Sequence, residues 1–185
     1  MITIIAGTNR VDSKTSKIAN NIHSELMKLT EEEVKILSLS DIDFSSITSN
    51  SYEQQPFSIQ KISVSYLMPA RLFIFVIPEY NGSFPGVLKL FIDLVSTQNL
   101  EMTFSNKKAA LIGTAEGRAG NLMGLNHFAA ILQHMGLFIM TKNLPISNVS
   151  NQIDEHGKLN NRTRNIVVKR LSQLLERELY LKRIV

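Results

Sequence analysis

Five short apolar runs alternate with helix-like stretches along the chain, and this alternation restricts the fold more than any other feature of the sequence. The strongest run is Leu72–Ile77, which Pro78 ends. The other four are Ile2–Ala6, Val34–Leu37, Ala109–Ile112 and Leu137–Met140. Strands that are continuous apolar runs are buried on both faces, as in a parallel sheet between two layers of helices. The sequence therefore predicts five β–α units.

The segments between these strands carry the helix signals. Apolar residues recur at helical spacing in residues 18–29, and again after the fourth strand. Ser83 is the predicted N-cap of the helix after the third strand, with Pro85 in its first turn. Residues 59–68 indicate a weaker helix. Residues 38–56 are rich in Ser, Asp, Asn and Gln and are predicted as a loop.

Five units match the flavodoxin-like strand order 2-1-3-4-5 better than the six-stranded dinucleotide-binding order. We predict an α/β protein with a five-stranded parallel sheet of that order, helices on both faces, and a single domain over residues 1–185. Strands 1, 3 and 4 are adjacent in this order, so the loops at their carboxyl ends face one crevice. Open α/β sheets bind their ligands in that crevice.

The composition removes several classes of protein. Hydrophobic residues make up 44% of the 185 residues and charged residues 19%, as in folded globular domains. The lack of cysteine excludes disulfides, thiolate metal ligands and thiol catalysis, and the four histidines show no metal-binding spacing, so no metal is expected. No apolar run approaches the roughly 20 residues of a membrane span. Because no secretory signal follows Met1, we expect a cytoplasmic protein without a membrane partner.

The positive net charge of +4 comes from the end of the chain. Residues 158–185 hold eight Lys or Arg against two Glu, a net charge of +6, so the rest of the chain carries −2. The segment also has Ile166, Val167, Leu171 and Leu174 at near-helical spacing, which indicates an amphipathic closing helix with a basic outer face. No interleaving of aromatic and basic residues accompanies it, so no nucleic-acid partner is expected.

The loop after the first strand, residues 7–16, has the chemistry of an anion site. Its side chains supply four hydroxyls and a guanidinium, from Thr8, Ser13, Thr15, Ser16 and Arg10. A helix N-terminus favours an anion through its free amides and its dipole, and these side chains would complete a phosphate cradle. The alternative is a helix N-cap by Ser13 or Thr15 beside an incidental arginine. The loop matches neither the P-loop nor the GxGxxG pattern.

The loop after the third strand suits a planar heterocycle. It begins with residues 78–82, whose Asn-Gly pair is a turn signal, and Tyr80 and Phe84 add flat apolar surface beside backbone donors and acceptors. The alternative is a tight strand-to-helix turn with Tyr80 at the edge of the core. The loop after the fourth strand, residues 113–120, has three glycines, which would let a ligand approach the backbone closely.

Two of these loops carry a family resemblance. The first resembles the G-S/T-x-R-x-x-S pattern of the NADPH-dependent FMN reductase family. Residues 78–93, PEYNGSFPGVLKLFID, closely resemble the same family's PEYN-x-S-x-PG-x-LK-x-x-x-D pattern, which is long and specific. The match in strand and helix order continues to about residue 140. The resemblance implies a flavodoxin-like fold, bound FMN, NADPH or NADH as the reductant, and a homodimer or homotetramer.

The resemblance also implies cofactor-binding residues. Those of the first loop, at the FMN phosphate, are Thr8, Arg10, Ser13 and Thr15, with Ser16 beside them. Those that lie along the isoalloxazine are Pro78, Glu79, Tyr80, Asn81 and Gly82. The third loop would flank the other side of the ring through Thr114, Ala115, Glu116 and Gly117. No catalytic side chain is expected, because hydride transfer from a nicotinamide to a flavin needs no acid or base from the protein.

The function implied is an FMN-dependent NAD(P)H oxidoreductase that passes hydride through FMN to a quinone, azo compound, flavin or similar small acceptor. The alternative is a flavodoxin-type electron carrier that docks on protein partners. Such carriers tend to be acidic, so the basic net charge favours the enzyme. A third hypothesis is an oligomeric binding module that has lost the flavin site.

Oligomerisation is predicted through the helix after the third strand. Lys89 and Asp93 are four residues apart on one face of that helix. In the family, the matching pair reaches across to another subunit. We therefore expect Phe91 and Leu94 to lie near a contact between subunits.

Overall fold

The computed structural model describes residues 1–140 and 142–182, and only the backbone of residues 178–182. Thr141 and residues 183–185, which include Arg183 of the basic segment, lie outside the described residues. The strands are β1 (Ile2–Ala6), β2 (Val34–Ser38), β3 (Leu72–Pro78), β4 (Lys108–Thr114), β5 (Phe138–Ile139) and β6 (Leu144–Ile146). The α-helices are α1 (Lys14–Leu26), α2 (Phe57–Ile62), α3 (Gly86–Ser96), α4 (Leu100–Thr103), α5 (Leu122–His134) and α6 (Asn161–Lys182).

The strands form one parallel sheet in the order β2-β1-β3-β4-β5, which confirms the predicted flavodoxin-like order. Ile2 of β1 lies opposite Val34 of β2 and Leu72 of β3, and Leu72 lies opposite Lys108 of β4. The four strands β2, β1, β3 and β4 therefore start level with one another. Their carboxyl ends reach the same edge of the sheet, where the three predicted loops emerge.

The fifth position of the sheet is occupied by two short strands instead of one. β5 pairs with the start of β4 at Lys108 and Ala109, and β6 pairs with its end at residues 112–114. The sequence predicted β5 and missed β6, because β6 has three residues and one of them is Pro145. Proline lacks the amide hydrogen of a regular strand residue, so the local pattern is not strand-like.

Each face of the sheet is covered by helices, as predicted. The side chains of β3 alternate between the two faces: Phe75 lies in a buried cluster with α3 and α5, and Ile74 in a second cluster with α1 and α6. The Phe75 and Phe128 rings meet edge to face at 5.1 Å between centroids. The basic closing helix α6 contributes Val167 and Leu171 to the second cluster, which supports its predicted amphipathic character.

The structure corrects one local prediction and adds detail to two others. The helix α3 begins at Gly86, with Pro85 at the capping position, so the prediction of Ser83 as N-cap is wrong. Residues 38–56 contain two single 3₁₀ turns within the predicted loop. Phe91 and Leu94 are fully buried in this chain's own core, so any subunit contact through this helix would use its exposed side chains, and their place near such a contact stays a prediction. Within residues 1–140 and 142–182, no helix has the length and apolar character needed to cross a bilayer.

Candidate functional site

A cavity of about 360 Å³ opens at the carboxyl ends of β1, β3 and β4. It brings together ten of the residues predicted for the site, namely Thr8, Arg10, Ser13, Thr15, Pro78, Glu79, Tyr80, Thr114, Ala115 and Glu116. Its other lining residues are Val11, Asp12, Lys14 and Val149. The three loops therefore surround one space, because the strand order makes their strands neighbours.

Four predicted residues lie outside this lining. Ser16 lines a neighbouring pocket with Ser38 and Ser40, and its hydroxyl lies 2.9 Å from that of Ser13. Asn81 and Gly82 form the exposed tip of the second loop, and Gly117 is exposed on the third.

Ser13 caps the helix that begins beneath the cavity. Its hydroxyl accepts a hydrogen bond from the Ser16 amide at 3.0 Å, so the capping alternative holds for Ser13. Thr15 is not a cap: its buried hydroxyl lies 3.2 Å from that of Thr114. Within the described part of the chain, the amides of Lys14 and Thr15 donate no hydrogen bond. Capping by Ser13 therefore leaves two amides of α1 free at the cavity.

Arg10 is held above the second loop. The Thr8 hydroxyl accepts a hydrogen bond from the Arg10 amide at 3.2 Å and lies 2.8 Å from the Tyr80 phenol oxygen. The guanidinium carbon of Arg10 is 5.7 Å from the centroid of the Tyr80 ring, a cation–π distance. Arg10 is exposed and forms no ion pair with the carboxylates that the structure describes. Its charge is therefore available to a ligand.

This donor set fits the phosphate of FMN. A phosphate dianion requires positive charge and several hydrogen-bond donors that converge on one point. The Arg10 guanidinium, the two free amides of α1 and the positive end of its dipole meet that requirement at one end of the cavity. Tyr80 and Pro78 supply flat apolar surface on the side of the second loop.

The second loop is held in shape by a reverse turn and by α5. Asn81 and Gly82 have φ values of 51° and 76°, and two backbone hydrogen bonds of 2.9 and 3.0 Å join Tyr80 and Ser83. Positive φ at both central residues is typical of a type I′ turn, and the Asn-Gly pair predicted a turn at this position. The Ser83 hydroxyl lies 3.1 Å from Nδ1 of His127 on α5. These contacts explain why Ser83 does not cap α3.

The start of α5 also packs tightly beneath this loop. Asn121 is buried and donates a hydrogen bond of 3.1 Å to the Ile77 carbonyl at the end of β3. A Cβ atom on Gly124 would lie 2.2 Å from Oδ1 of Asn121 and 2.7 Å from the Ser83 carbonyl carbon. Only glycine permits this close approach, and the approach positions the second loop.

The third loop is held from the other side by the segment after β6. The Ala115 amide donates to the Ile146 carbonyl at 3.1 Å, and the Val149 amide donates to the Ala115 carbonyl at 3.0 Å. Glu116 forms an ion pair with Lys14 and accepts hydrogen bonds from Ser150. The Lys14 ammonium, and next the Ser150 hydroxyl, hold the pKa of the Glu116 carboxyl below its ordinary value.

Sequence reasoning missed Lys14, Val149 and Ser150. Lys14 had a detectable signal, because it is a cation at the first position of the helix that follows Arg10. Val149 and Ser150 had none, since they reach the site only through β6. No group of three or more His, Asp or Glu residues in the described ranges could hold a metal ion.

Comparison with known proteins agrees with the geometry. A family model described as NADPH-dependent FMN reductase matches residues 1–151. A 2-hydroxy-1,4-benzoquinone reductase of Burkholderia sp is 24% identical over 166 residues, 85% of this chain and 84% of that protein. An NAD(P)H-dependent FMN reductase of Pseudomonas aeruginosa is 34% identical over 103 residues, 55% of each chain.

The solved structures agree on the fold. A flavoenzyme NAD(P)H:(acceptor) oxidoreductase from Paracoccus denitrificans has a TM-score of 0.74 at 20% identity, covering 95% of this chain and 94% of that one. The resemblance predicted from the two loops is confirmed by the family match. The chain belongs to the NADPH-dependent FMN reductase family and is a flavin-dependent NAD(P)H oxidoreductase.

Proposed function

We propose that the cavity between the three loops is the FMN site and that this enzyme reduces a small-molecule acceptor of the quinone class. The observation that carries the proposal is that Arg10, which forms no ion pair with a described carboxylate, lies beside two amides of α1 that donate no hydrogen bond to the described residues, next to the flat surface of Tyr80. The proposed phosphate residues are Thr8, Arg10, Ser13, Thr15 and Ser16. The proposed ring residues are Pro78, Glu79, Tyr80, Asn81, Gly82, Thr114, Ala115, Glu116 and Gly117.

Bound FMN would supply the chemistry of accepting and passing on a hydride. The residues of the chain have three other tasks. Arg10 and the start of α1 bind the phosphate and thereby orient the cofactor. Tyr80 and Pro78 form the wall of the ring site on one side. The amides of Glu116 and Gly117 donate no hydrogen bond within the described residues, so they are available to stabilise negative charge at an edge of the ring.

The names of the relatives support a quinone as the acceptor. Besides the Burkholderia protein, a quinone reductase of Pseudomonas putida is 28% identical over 167 residues, 88% of this chain and 86% of that protein. A quinone is planar and accepts two electrons, so a site beside a flat flavin face suits it. The carrier hypothesis requires a docked protein partner instead.

We further propose that the enzyme is a single domain, acts in the cytoplasm and forms a homodimer or homotetramer. One sheet with a buried cluster on each face supports a single domain. A groove of about 630 Å³ between α3 and α5 supports a second copy as its occupant. Ala130, His127 and His134 line it and are exposed, and the ion pair of Lys89 and Asp93, 2.6 Å from Nζ to Oδ1, lies at its rim.

The absorption spectrum of the purified protein tests the cofactor, and steady-state NADPH oxidation tests the acceptor. We expect a flavin spectrum, or uptake of added FMN, and NADPH consumption that depends on added 1,4-benzoquinone. A protein that stays colourless and does not bind FMN contradicts the proposed site. A flavoprotein that does not turn over NADPH with a quinone contradicts only the proposed acceptor.

A further inference from the structure

Lys14 connects two of the loops that surround the cavity. It occupies the first position of α1, at the proposed phosphate end, and its ammonium pairs with Glu116 of the third loop, 102 residues away in the sequence. Both residues line the cavity. Of the two cations among the lining residues, Arg10 and Lys14, only Lys14 pairs with a carboxylate that the structure describes.

Glu116 is held in place for this pairing. The Ser150 hydroxyl donates to Oε1 of Glu116 at 2.7 Å, and the Ser150 amide donates to Oε2 at 3.3 Å. Ser150 also accepts a hydrogen bond from Lys14. The segment after β6 therefore holds a carboxylate against the cation beside the helix N-terminus.

We infer that Glu116 and the phosphate of FMN compete for Lys14, so that Glu116 limits the affinity of the site for phosphorylated flavin. This inference rests on the proposed function, because it requires the phosphate at the start of α1. The inference concerns the carboxylate of Glu116, which would act as a competing anion that opposes phosphate binding, and leaves the role proposed for its backbone amide at the ring unchanged.

The exposure of the pair makes such competition feasible. The Lys14 side chain is 45% exposed and that of Glu116 is 59% exposed, so both charges already contact solvent in the ion pair. An exposed ion pair contributes little, whereas a charge-assisted hydrogen bond to a phosphate is among the stronger ones. Lys14 can therefore leave Glu116 when a phosphate is present, and the lost ion pair reduces the net affinity.

The test is titration of the full chain, stripped of flavin, with FMN and with riboflavin, which has the same ring and no phosphate. In Glu116→Gln we expect FMN to bind roughly two- to fivefold more tightly, the equivalent of one exposed ion pair, and riboflavin to bind as in wild type. In Lys14→Met we expect weaker FMN binding and unchanged riboflavin binding.

Asp12→Asn is the matched control. Asp12 also lines the cavity, but its partner is Lys17, at 3.2 Å, which does not. Both variants remove one carboxylate and free one lysine, and Asn tolerates the positive φ of 51° at position 12. We expect Asp12→Asn to change FMN affinity less than Glu116→Gln does.

Several results would overturn this inference and leave the proposed FMN site intact. Equal gains in Glu116→Gln and Asp12→Asn would indicate a general charge effect. Weaker binding of both flavins to Glu116→Gln would make Glu116 a ring ligand, and unchanged FMN binding would make the pair purely structural. If wild type binds neither flavin, the proposed site fails together with the inference.

Discussion

The Thr8 hydroxyl lies 2.8 Å from the phenol oxygen of Tyr80 and thereby joins the end of β1 to the loop after β3. Because the same hydroxyl accepts from the Arg10 amide, and the Arg10 guanidinium lies over the Tyr80 ring, the two loops form one unit. The orientation of Arg10 therefore depends on a bond between residues 72 positions apart.

A double-mutant cycle measures this bond. Thr8→Val and Tyr80→Phe should each lower the free energy of unfolding by about 0.5–1.5 kcal/mol, the net value of a partly buried hydrogen bond. The double variant should lose less than the sum, because both changes remove the same bond. Urea denaturation gives the free energies, and Thr8→Ser, which keeps the hydroxyl, is the control. Strictly additive losses would show that the two hydroxyls are not coupled.

The charge of Arg10 should separate phosphate recognition from ring recognition. Arg10→Ala removes a charge-assisted contact worth about 1.5–3 kcal/mol, so FMN affinity should fall roughly 10- to 150-fold. Riboflavin affinity should change little, and the remaining FMN binding should depend less on salt. Arg118→Ala is the control, because Arg118 is exposed on the third loop and does not line the cavity. Equal losses for both flavins would assign Arg10 to the ring pocket or the fold.

The contact between α5 and the second loop should not tolerate a methyl group. Gly124→Ala places a Cβ 2.2 Å from Oδ1 of Asn121 and 2.7 Å from the Ser83 carbonyl carbon, so we expect a loss of about 1–3 kcal/mol of stability. Gly86→Ala, in the first turn of α3, meets nothing within 4 Å and should leave stability unchanged or slightly higher. The melting temperatures of both variants, measured by thermal unfolding, test this prediction. Equal melting temperatures would contradict the close packing at Gly124.

Stability at acid pH should depend on an ion pair at the amino ends of β2 and β3, the end of the sheet opposite the cavity. Arg71 donates to Glu32 at 2.6 Å, and this bond lowers the pKa of the Glu32 carboxyl from 4.5 to about 2. A lowered pKa means that the pair stabilises the fold above about pH 4.5 and that this stability is lost as the pH falls towards 2.

Glu32→Gln should therefore cost about 1 kcal/mol at pH 7, a value limited by solvent screening of a side chain that is 35% exposed. The difference from wild type should shrink between pH 4.5 and 2. Urea titrations at several pH values measure it, and FMN binding at pH 7 should stay unchanged because Glu32 is remote from the cavity. A constant difference across that pH range would exclude the ion pair as its cause.

The proposed subunit contact can be tested at the groove between α3 and α5. Ala130→Glu introduces a charge where a second copy would cover the groove, so the variant should be monomeric at micromolar concentration by light scattering. Asn165→Glu on the exposed face of α6 adds the same charge elsewhere and should leave the oligomer intact. A wild type that is itself monomeric would contradict the proposed oligomer.

The central strands were predictable because their signal is local, and the sheet order followed from the number of β–α units. Leu72–Ile77 is apolar throughout, and burial on both faces of a parallel strand requires that. The loops could be assigned to one crevice because the order of the strands makes them neighbours. Which of their side chains bind the cofactor remains a prediction, although ten of them line one cavity.

Other features depend on partners that are distant in the sequence. The three residues of β6 form a strand only because residues 112–114 of β4 offer free hydrogen-bonding groups beside them. Ser83 has the residue type of a helix cap, yet it pairs with Tyr80 and His127 because α5 lies against the loop.

The sequence by itself determined the parallel sheet, the covering helices and the chemistry of the first two loops, because apolar periodicity and turn residues act over a few positions. Only the tertiary structure decided that Lys14 pairs with Glu116 and that Ser150 holds the carboxylate. It also decided that Arg10 lies above Tyr80 without an ion pair to any carboxylate that the structure describes. The physical reason is that ion pairs and hydrogen bonds act over a few ångströms. The neighbours of a charged side chain therefore depend on how β6 and α5 fold back onto the loops. A local sequence pattern does not predict these contacts.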